Sequence, residues 1–183
     1  MTVPIAVAQK YIARTGGPGE TLPVSYSCSV PPDVMLRHPD ASSPIEDFTH
    51  KQFLNVIPDN EIGDAERILI CTGKIGHELQ SERKKRKDTT TAIVFLEQLY
   101  PFPEAELAAE FERHGQHADI VWVQEEPANQ GAMFNMLPRL KRFAGERPVL
   151  SVKRSSSPSP ATGSAKAHEV EQKTLLTLAF TIK

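Results

Sequence analysis

From residue 66 onward, short apolar runs alternate with helix-forming stretches, four times over. The runs are RILICTG (67–73), TTAIVFLEQL (90–99), ADIVWVQE (118–125) and RPVLSVKR (147–154). Between and after them come KIGHELQSERKKRK (74–87), EAELAAEFERHG (104–115), NQGAMFNMLPRLKRFAG (129–145) and AKAHEVEQKTLLTLAF (165–180). The runs are rich in β-branched residues and are apolar at successive positions, as expected of strands covered on both faces. Strands that each lead into a helix pair most simply as a parallel sheet with right-handed crossovers. The expectation is an α/β fold: an open, mostly parallel sheet with helices on both faces. Pro138 is expected to kink or split the third helix. Val170, Leu175, Leu176, Leu178 and Phe180 are available to pack the last one.

The regular pattern does not begin at the N-terminus. Residues 1–33 are rich in glycine, proline and serine and read as a poorly structured lead-in, with room for a short helix near VAQKYIA. Residues 34–60 carry apolar anchors among prolines. They suit an irregular segment lying on the domain, with Phe48, Phe53, Leu54 and Val56 as pegs. Residues 34–183 thus form one domain with an N-terminal arm, within what 183 residues allow.

Charge and composition exclude several classes. The net charge of -2 gives no reason to expect nucleic acid or an acidic membrane as partner. The basic cluster at 83–87 has no interleaved aromatics and reads as a solvated last helical turn that complements the helix dipole. The two cysteines, Cys28 and Cys71, lie far apart in no metal-ligand spacing, and both read as cytosolic thiols. No apolar stretch approaches the ~20 residues that span a bilayer, and the N-terminus has no convincing signal peptide.

Open parallel sheets place their useful loops at the carboxyl ends of the strands. Four loops qualify: CTGKIG, EQLYPFP, EEPANQG and SSSPSPATGS. The first lacks the spacing of a P-loop or of GxGxxG. Gly73 and Gly76 there serve a tight turn and close helix packing. No serine sits in a GxSxG elbow, and His77, His114, His117 and His168 have no triad-like context. Arg37 and His38 could bind an anion or pin the arm to acidic side chains.

EEPANQG is the sharpest of the four. Pro127 stops the strand, and Asn129 can cap the following helix. Gly131 in a first helical turn costs about 1 kcal/mol against alanine, which suggests close approach of another backbone. Glu125 and Glu126 could be a general acid and base. Adjacent residues on an extended chain point to opposite sides, however, so one is expected to face an interface and the other the domain itself. A carboxylate held there by a partner cation would have a lowered pKa.

Four stretches in order, MLRHPDASSPIEDFTHKQFLNVI, VFLEQLYPFP, VWVQEEPANQGAMF and SPSPATGSAKAHEVEQKTLLTLAF, together resemble the C-terminal region of the E1 component of 2-oxoglutarate dehydrogenase. The resemblance covers about residues 34–180. Met133 stands where the family usually has an aromatic. The resemblance implies a transketolase-like C-terminal domain at a domain and subunit interface, with Glu125, Glu126, Asn129, Gln130 and Gly131 as its anchors. It implies a parent oxidoreductase of the tricarboxylic acid cycle that decarboxylates 2-oxoglutarate on thiamine diphosphate and Mg²⁺ and passes the succinyl group to lipoyl-E2. The implied partners are the remaining E1 domains, a second E1 subunit, the E2 succinyltransferase and E3, in a bacterial cytoplasm or a mitochondrial matrix. This chain carries no GDG-type diphosphate motif and no pyrimidine-binding domain. It is therefore expected to be a fragment, inactive alone, binding neither cofactor nor metal. A stand-alone module binding a nucleotide or CoA-like anion through Arg37 and His38 is the alternative.

Overall fold

The computed structural model describes Thr49 and residues 52–182. Its elements are β1 (Val56–Ile57), β2 (Arg67–Cys71), α1 (Lys74–Arg86), β3 (Thr91–Leu96), α2 (Glu104–Glu112), β4 (Asp119–Pro127), α3 (Met133–Ala144), β5 (Val149–Arg154) and α4 (Ala165–Thr181). The sheet order is β1-β3-β2-β4-β5. All neighbours are parallel except β1, which runs antiparallel on the edge of β3.

Strand parity explains why the runs are apolar throughout. Ile68, Ile70, Ala92, Val94, Ile120 and Trp122 point to one face and pack with Leu107 and Phe111 of α2 and Met136 and Leu140 of α3. Leu69, Cys71, Ile93, Phe95, Val121 and Val123 point to the other and pack with Ile75 and Leu79 of α1 and Leu175 and Ala179 of α4. Each strand therefore feeds two cores, as buried parallel strands must. Gly76 lets α1 close on the sheet: a Cβ there would run into the Phe95 ring. Gly73 holds φ +71 at the turn from β2 into α1. Burial pushes the Cys71 thiol well above its ordinary pKa.

Several expectations need correction. The segment before residue 60 is not wholly irregular, because Val56 and Ile57 form an edge strand and Val56 is buried. Leu54 is no peg; it is exposed, as are Val170 and Leu178 on α4. The third helix starts at Met133, not at residue 129, and runs unbroken through Pro138. The basic turn at the end of α1 is not all solvated. Arg83 is buried and bridges the arm: it pairs with Asp59 and donates to Thr91 O at 3.1 Å and to Glu61 Oε2 at 2.5 Å. The lead-in 1–33 lies outside the described residues, as does Phe48.

Asp59 is the centre of this end of the molecule. Its carboxylate also accepts from Ile93 N at 2.7 Å and Glu61 N at 2.8 Å. Its backbone N–H donates to Glu110 Oε1 at 3.3 Å, and its carbonyl accepts from Arg113 at 2.9 Å. One buried acid thus ties the arm to α1, β3 and α2.

Candidate functional site

The chain passes from β2 to β3 on one side and then returns to β4 on the other. This reversal makes the carboxyl ends of β2 and β4 the topological switch point, where open α/β sheets place their sites. Lys74, the first residue of α1, crosses it. Its Nζ lies 2.7 Å from Glu78 Oε1 and 3.5 Å from Glu125 Oε2. Burial works against the Lys74 charge, but the Glu78 hydrogen bond and the Glu125 charge outweigh it and raise its pKa.

The polar connections continue along the sheet edge. Gln172 of α4, buried, donates to Glu78 Oε2 at 2.6 Å. Arg154, at the end of β5, donates to Gln172 Oε1 and to His168 Nδ1, both at 3.1 Å. Arginine only donates, so His168 Nδ1 is the acceptor in that pair. The carboxyl ends of β2, β4 and β5 are therefore linked through α1 and α4 by one chain of charged and amide groups.

Glu125 and Glu126 do separate. Glu125 reaches Lys74, within its own domain. Glu126 is half-buried, and burial raises its pKa, with the Arg154 charge acting in the opposite sense. In the chain by itself, desolvation at Glu126 outweighs the Arg154 charge.

Strand β4 continues past the two acids to Pro127, with an irregularity in its pairing to β5 between Val123 and Pro127. Asn129 is not a helix cap. Its side-chain amide donates to Ser157 O and accepts from Ser157 N, each at 3.0 Å, as a neighbouring strand would. Gln130 donates to the same carbonyl at 3.2 Å. The loops EEPANQG and SSSPSPATGS are therefore fastened together. Gly131 is not a helical glycine either. It holds φ +70 ahead of α3, and what approaches it is a side chain: an added Cβ would sit 3.0–3.2 Å from the Gln124 amide.

Gln124 organises this loop. It sits in core register, two residues after Trp122, and is 1% exposed. Its Oε1 accepts from Trp122 Nε1 at 2.9 Å and from Met133 N, the first helical amide of α3, at 3.0 Å. Its Nε2 donates to Gln130 O at 2.9 Å and Pro127 O at 3.3 Å. A glutamine at a position where parity demands an apolar side chain was the signal that could have exposed this role from sequence.

Beside the polar edge, two aromatic side chains lie open. Tyr100, in the loop after β3, is 59% exposed, and Phe134, in the first turn of α3, is 69% exposed. Between the two elements Phe102 stacks on Phe143, with Arg139 over the Phe102 ring. Arg37 and His38 lie outside the described residues. Among the described residues no group of three or more His, Cys, Asp or Glu side chains could hold a metal ion. Nor is any helix there long and apolar enough to cross a membrane.

The fold is that of a transketolase-type α/β domain. It superimposes on a chain of a solved split-gene transketolase, titled an inactive beta4 tetramer, with a TM-score of 0.52 at 12% identity, over 72% of this chain and 42% of that one. Residues 42–180 match the family described as 2-oxoglutarate dehydrogenase C-terminal, and the chain belongs to that family. It is 40% identical over 153 residues to the 2-oxoglutarate dehydrogenase E1 component of Cupriavidus necator, covering 81% of this chain and 16% of that protein. It is 38% identical over 163 residues to a multifunctional 2-oxoglutarate metabolism enzyme of Mycobacterium sp., covering 81% of this chain and 12% of that one. The chain thus spans less than a fifth of the length of these relatives.

Proposed function

We propose that this chain serves assembly in a thiamine-diphosphate-dependent 2-oxoglutarate dehydrogenase E1: it docks on the remaining E1 domains and helps to close the E1 dimer. The observation that carries this reading is the pair Tyr100 and Phe134, both exposed at the carboxyl edge of the sheet. Large aromatic side chains at a functional edge are what an interface buries, and they tend to dominate its energy. Glu125 and Glu126 lie on the same edge as polar anchors, and Asn129, Gln130 and Gly131 shape the loop that carries them. Residues 34–183 are the unit that docks, with 1–33 a lead-in outside it. The parent enzyme would decarboxylate 2-oxoglutarate and hand the succinyl group to E2, in a cytoplasm or a mitochondrial matrix.

Thiamine diphosphate and Mg²⁺ do not fit the residues at this edge. The cation nearest the β2–α1 turn, Lys74, is held between two carboxylates, which would repel a diphosphate. The cofactor would belong to other parts of an E1, and this chain alone should not decarboxylate its substrate. The anion-binding alternative rests on Arg37 and His38, outside the described residues, and the similarity to E1 components favours the assembly reading over it.

The test uses the Cupriavidus necator E1 with its matching stretch removed. In sedimentation velocity the 183-residue chain is expected to join the shortened E1 in a complex. Replacing Tyr100 and Phe134 together by serine should weaken that complex by more than about tenfold, since both side chains are surface anchors that the fold does not need. No complex with a well-folded wild-type chain overturns the reading.

A further inference from the structure

We infer that Gln124 is the positioning residue of the docking edge: its buried carboxamide fixes loop 127–133, and with it the aim of Glu126 and Phe134. The inference rests on the assembly reading above and adds to it the residue that sets the geometry. No contact with a partner is asked of Gln124, which is 1% exposed.

The argument is one of chemistry at a single side chain. Two N–H groups, from Trp122 and Met133, point at one end of the carboxamide, and the carbonyls of Gln130 and Pro127 point at the other. The oxygen and nitrogen ends of Gln124 are therefore fixed by their partners. Only a group that accepts and donates at once satisfies all four. These four partners belong to the end of β4, the loop and the first turn of α3, so the amide sets the distance between strand and helix. Gly131 completes the arrangement. Its φ of +70 strains any other residue, and a Cβ there would crowd the Gln124 amide at 3.0–3.2 Å. The loop is further pinned from outside by Asn129 and Gln130 on Ser157. The Gln124 contacts are the inner half of a two-sided clamp. A loop clamped on both sides holds Phe134 out from the surface before any partner arrives, and a preorganised surface binds more tightly than one that must be ordered on contact.

Substituting glutamate or leucine for Gln124 separates geometry from bulk. An ionised glutamate would accept from Trp122 and Met133 but would face two carbonyls with a second oxygen. Protonated, it could donate to Gln130 O and regain the native pattern. Leucine would do neither at any pH. Glu125 and Glu126 flank it on β4, with Lys74 paired to Glu125 and the Arg154 charge acting on Glu126. These charged groups are common to wild type and variants, so the ratio of affinities isolates the substituted side chain.

The experiment measures binding of the full chain to the shortened Cupriavidus necator E1 between about pH 8 and pH 5, with amide hydrogen exchange on the chain alone. Gln124→Glu and Gln124→Leu should each lower Met133 amide protection and weaken binding by about tenfold at the upper pH. Amides of Val121 and Val123 should stay protected, showing that the sheet is intact. As pH falls, Gln124→Glu should recover toward wild type and Gln124→Leu should not. Gly131→Ala, which keeps the Gln124 carboxamide but crowds it from the loop side, should weaken binding in the same sense and serves if the Gln124 variants fail to fold. Binding of Gln124→Glu, Gln124→Leu and Gly131→Ala that matches wild type overturns this inference alone, as does an equal loss in the two Gln124 variants with no recovery at low pH. Failure of the wild-type chain to bind overturns the assembly reading, and the role of Gln124 falls with it.

Discussion

The two ends of the sheet are built on opposite rules. At the amino end of the strands the central ion pair is buried and satisfied within the chain. Asp59 and Arg83 are both 3% exposed in their side chains, and they draw in Glu61, Glu110 and Arg113. Arg147, whose pKa burial lowers, donates to Ala144 O at 3.0 Å and Phe111 O at 3.1 Å, and so closes the ends of α3 and α2. At the carboxyl end the acids are half-buried, one of them has its pKa raised by burial, and two aromatic rings stand in solvent. The first end is complete as it is. The second has the composition of an interface, apolar anchors beside charged groups. On the assembly reading proposed above, the chain is finished at one end and left to a neighbour at the other.

The largest effect should come from opening the finished end. Arg83→Met leaves the Asp59 carboxylate buried without its cation, a change that costs about 3–5 kcal/mol in buried pairs. Urea unfolding of the variant is expected to show a loss in that range, toward its lower end because Ile93 N and Glu61 N still donate to Asp59. Adding Asp59→Asn should restore part of it. A loss under about 1 kcal/mol, the value of a surface pair, would mean that this end is no better closed than the other.

The contrast between the ends was only half legible in the sequence. The sheet was readable because its cause is local: four runs apolar at successive positions admit few folds other than helices on both faces. The position of the adjacent acids at the end of β4 was readable for the same reason. What failed was long-range. Arg83 sits in a run of basic residues and looks like its neighbours, and its acid lies 24 residues earlier in a proline-rich arm. A strand of two residues, Val56–Ile57, has no period to read. Asn129 has the chemistry of a helix cap, yet the helix begins four residues later and its first amide is satisfied by Gln124, nine residues back along the chain. Local signals marked where the loop was, and tertiary partners decided how it is built.

A smaller effect should come from the turn that leads from α1 into β3, at the finished end. The Asp88 carboxylate is partly desolvated, but it accepts from Thr91 Oγ1 at 2.7 Å, Thr90 N at 2.7 Å and Thr91 N at 3.0 Å, and these bonds hold its pKa below the ordinary value. A carboxylate whose folded pKa is depressed stabilises the fold above its unfolded pKa, and that contribution is lost as pH falls through the folded one. Asp88→Ala should therefore cost about 1 kcal/mol at neutral pH, as other capping acids do. The gap to wild type should narrow only below the unfolded value of 3.8. A gap that is unchanged at the lowest pH where the protein stays folded would assign the effect to the turn backbone instead.

The smallest effect, and the one of opposite sign, should come from Glu126 at the unfinished end. Burial raises its folded pKa above the unfolded value of 4.5. For an acid shifted upward, the stabilising share is present below the unfolded pKa and is lost as pH rises through the folded one. At neutral pH the ionised group therefore works against the isolated fold. Glu126→Gln should make the chain slightly more stable there, by less than about 1 kcal/mol, and equal to or less stable than wild type in acid. Thermal unfolding of both proteins across that range measures the crossing. On the assembly reading, the same substitution should weaken binding to the shortened Cupriavidus necator E1, because a charge that burial disfavours in the lone chain would gain charge-assisted hydrogen bonds in the complex. Opposite signs in stability and in binding are what separate an unfinished end from a finished one. If Glu126→Gln destabilised the lone chain at neutral pH and left binding unchanged, Glu126 would belong with Asp59 as an internal strut, and the two ends of the sheet would differ only in exposure.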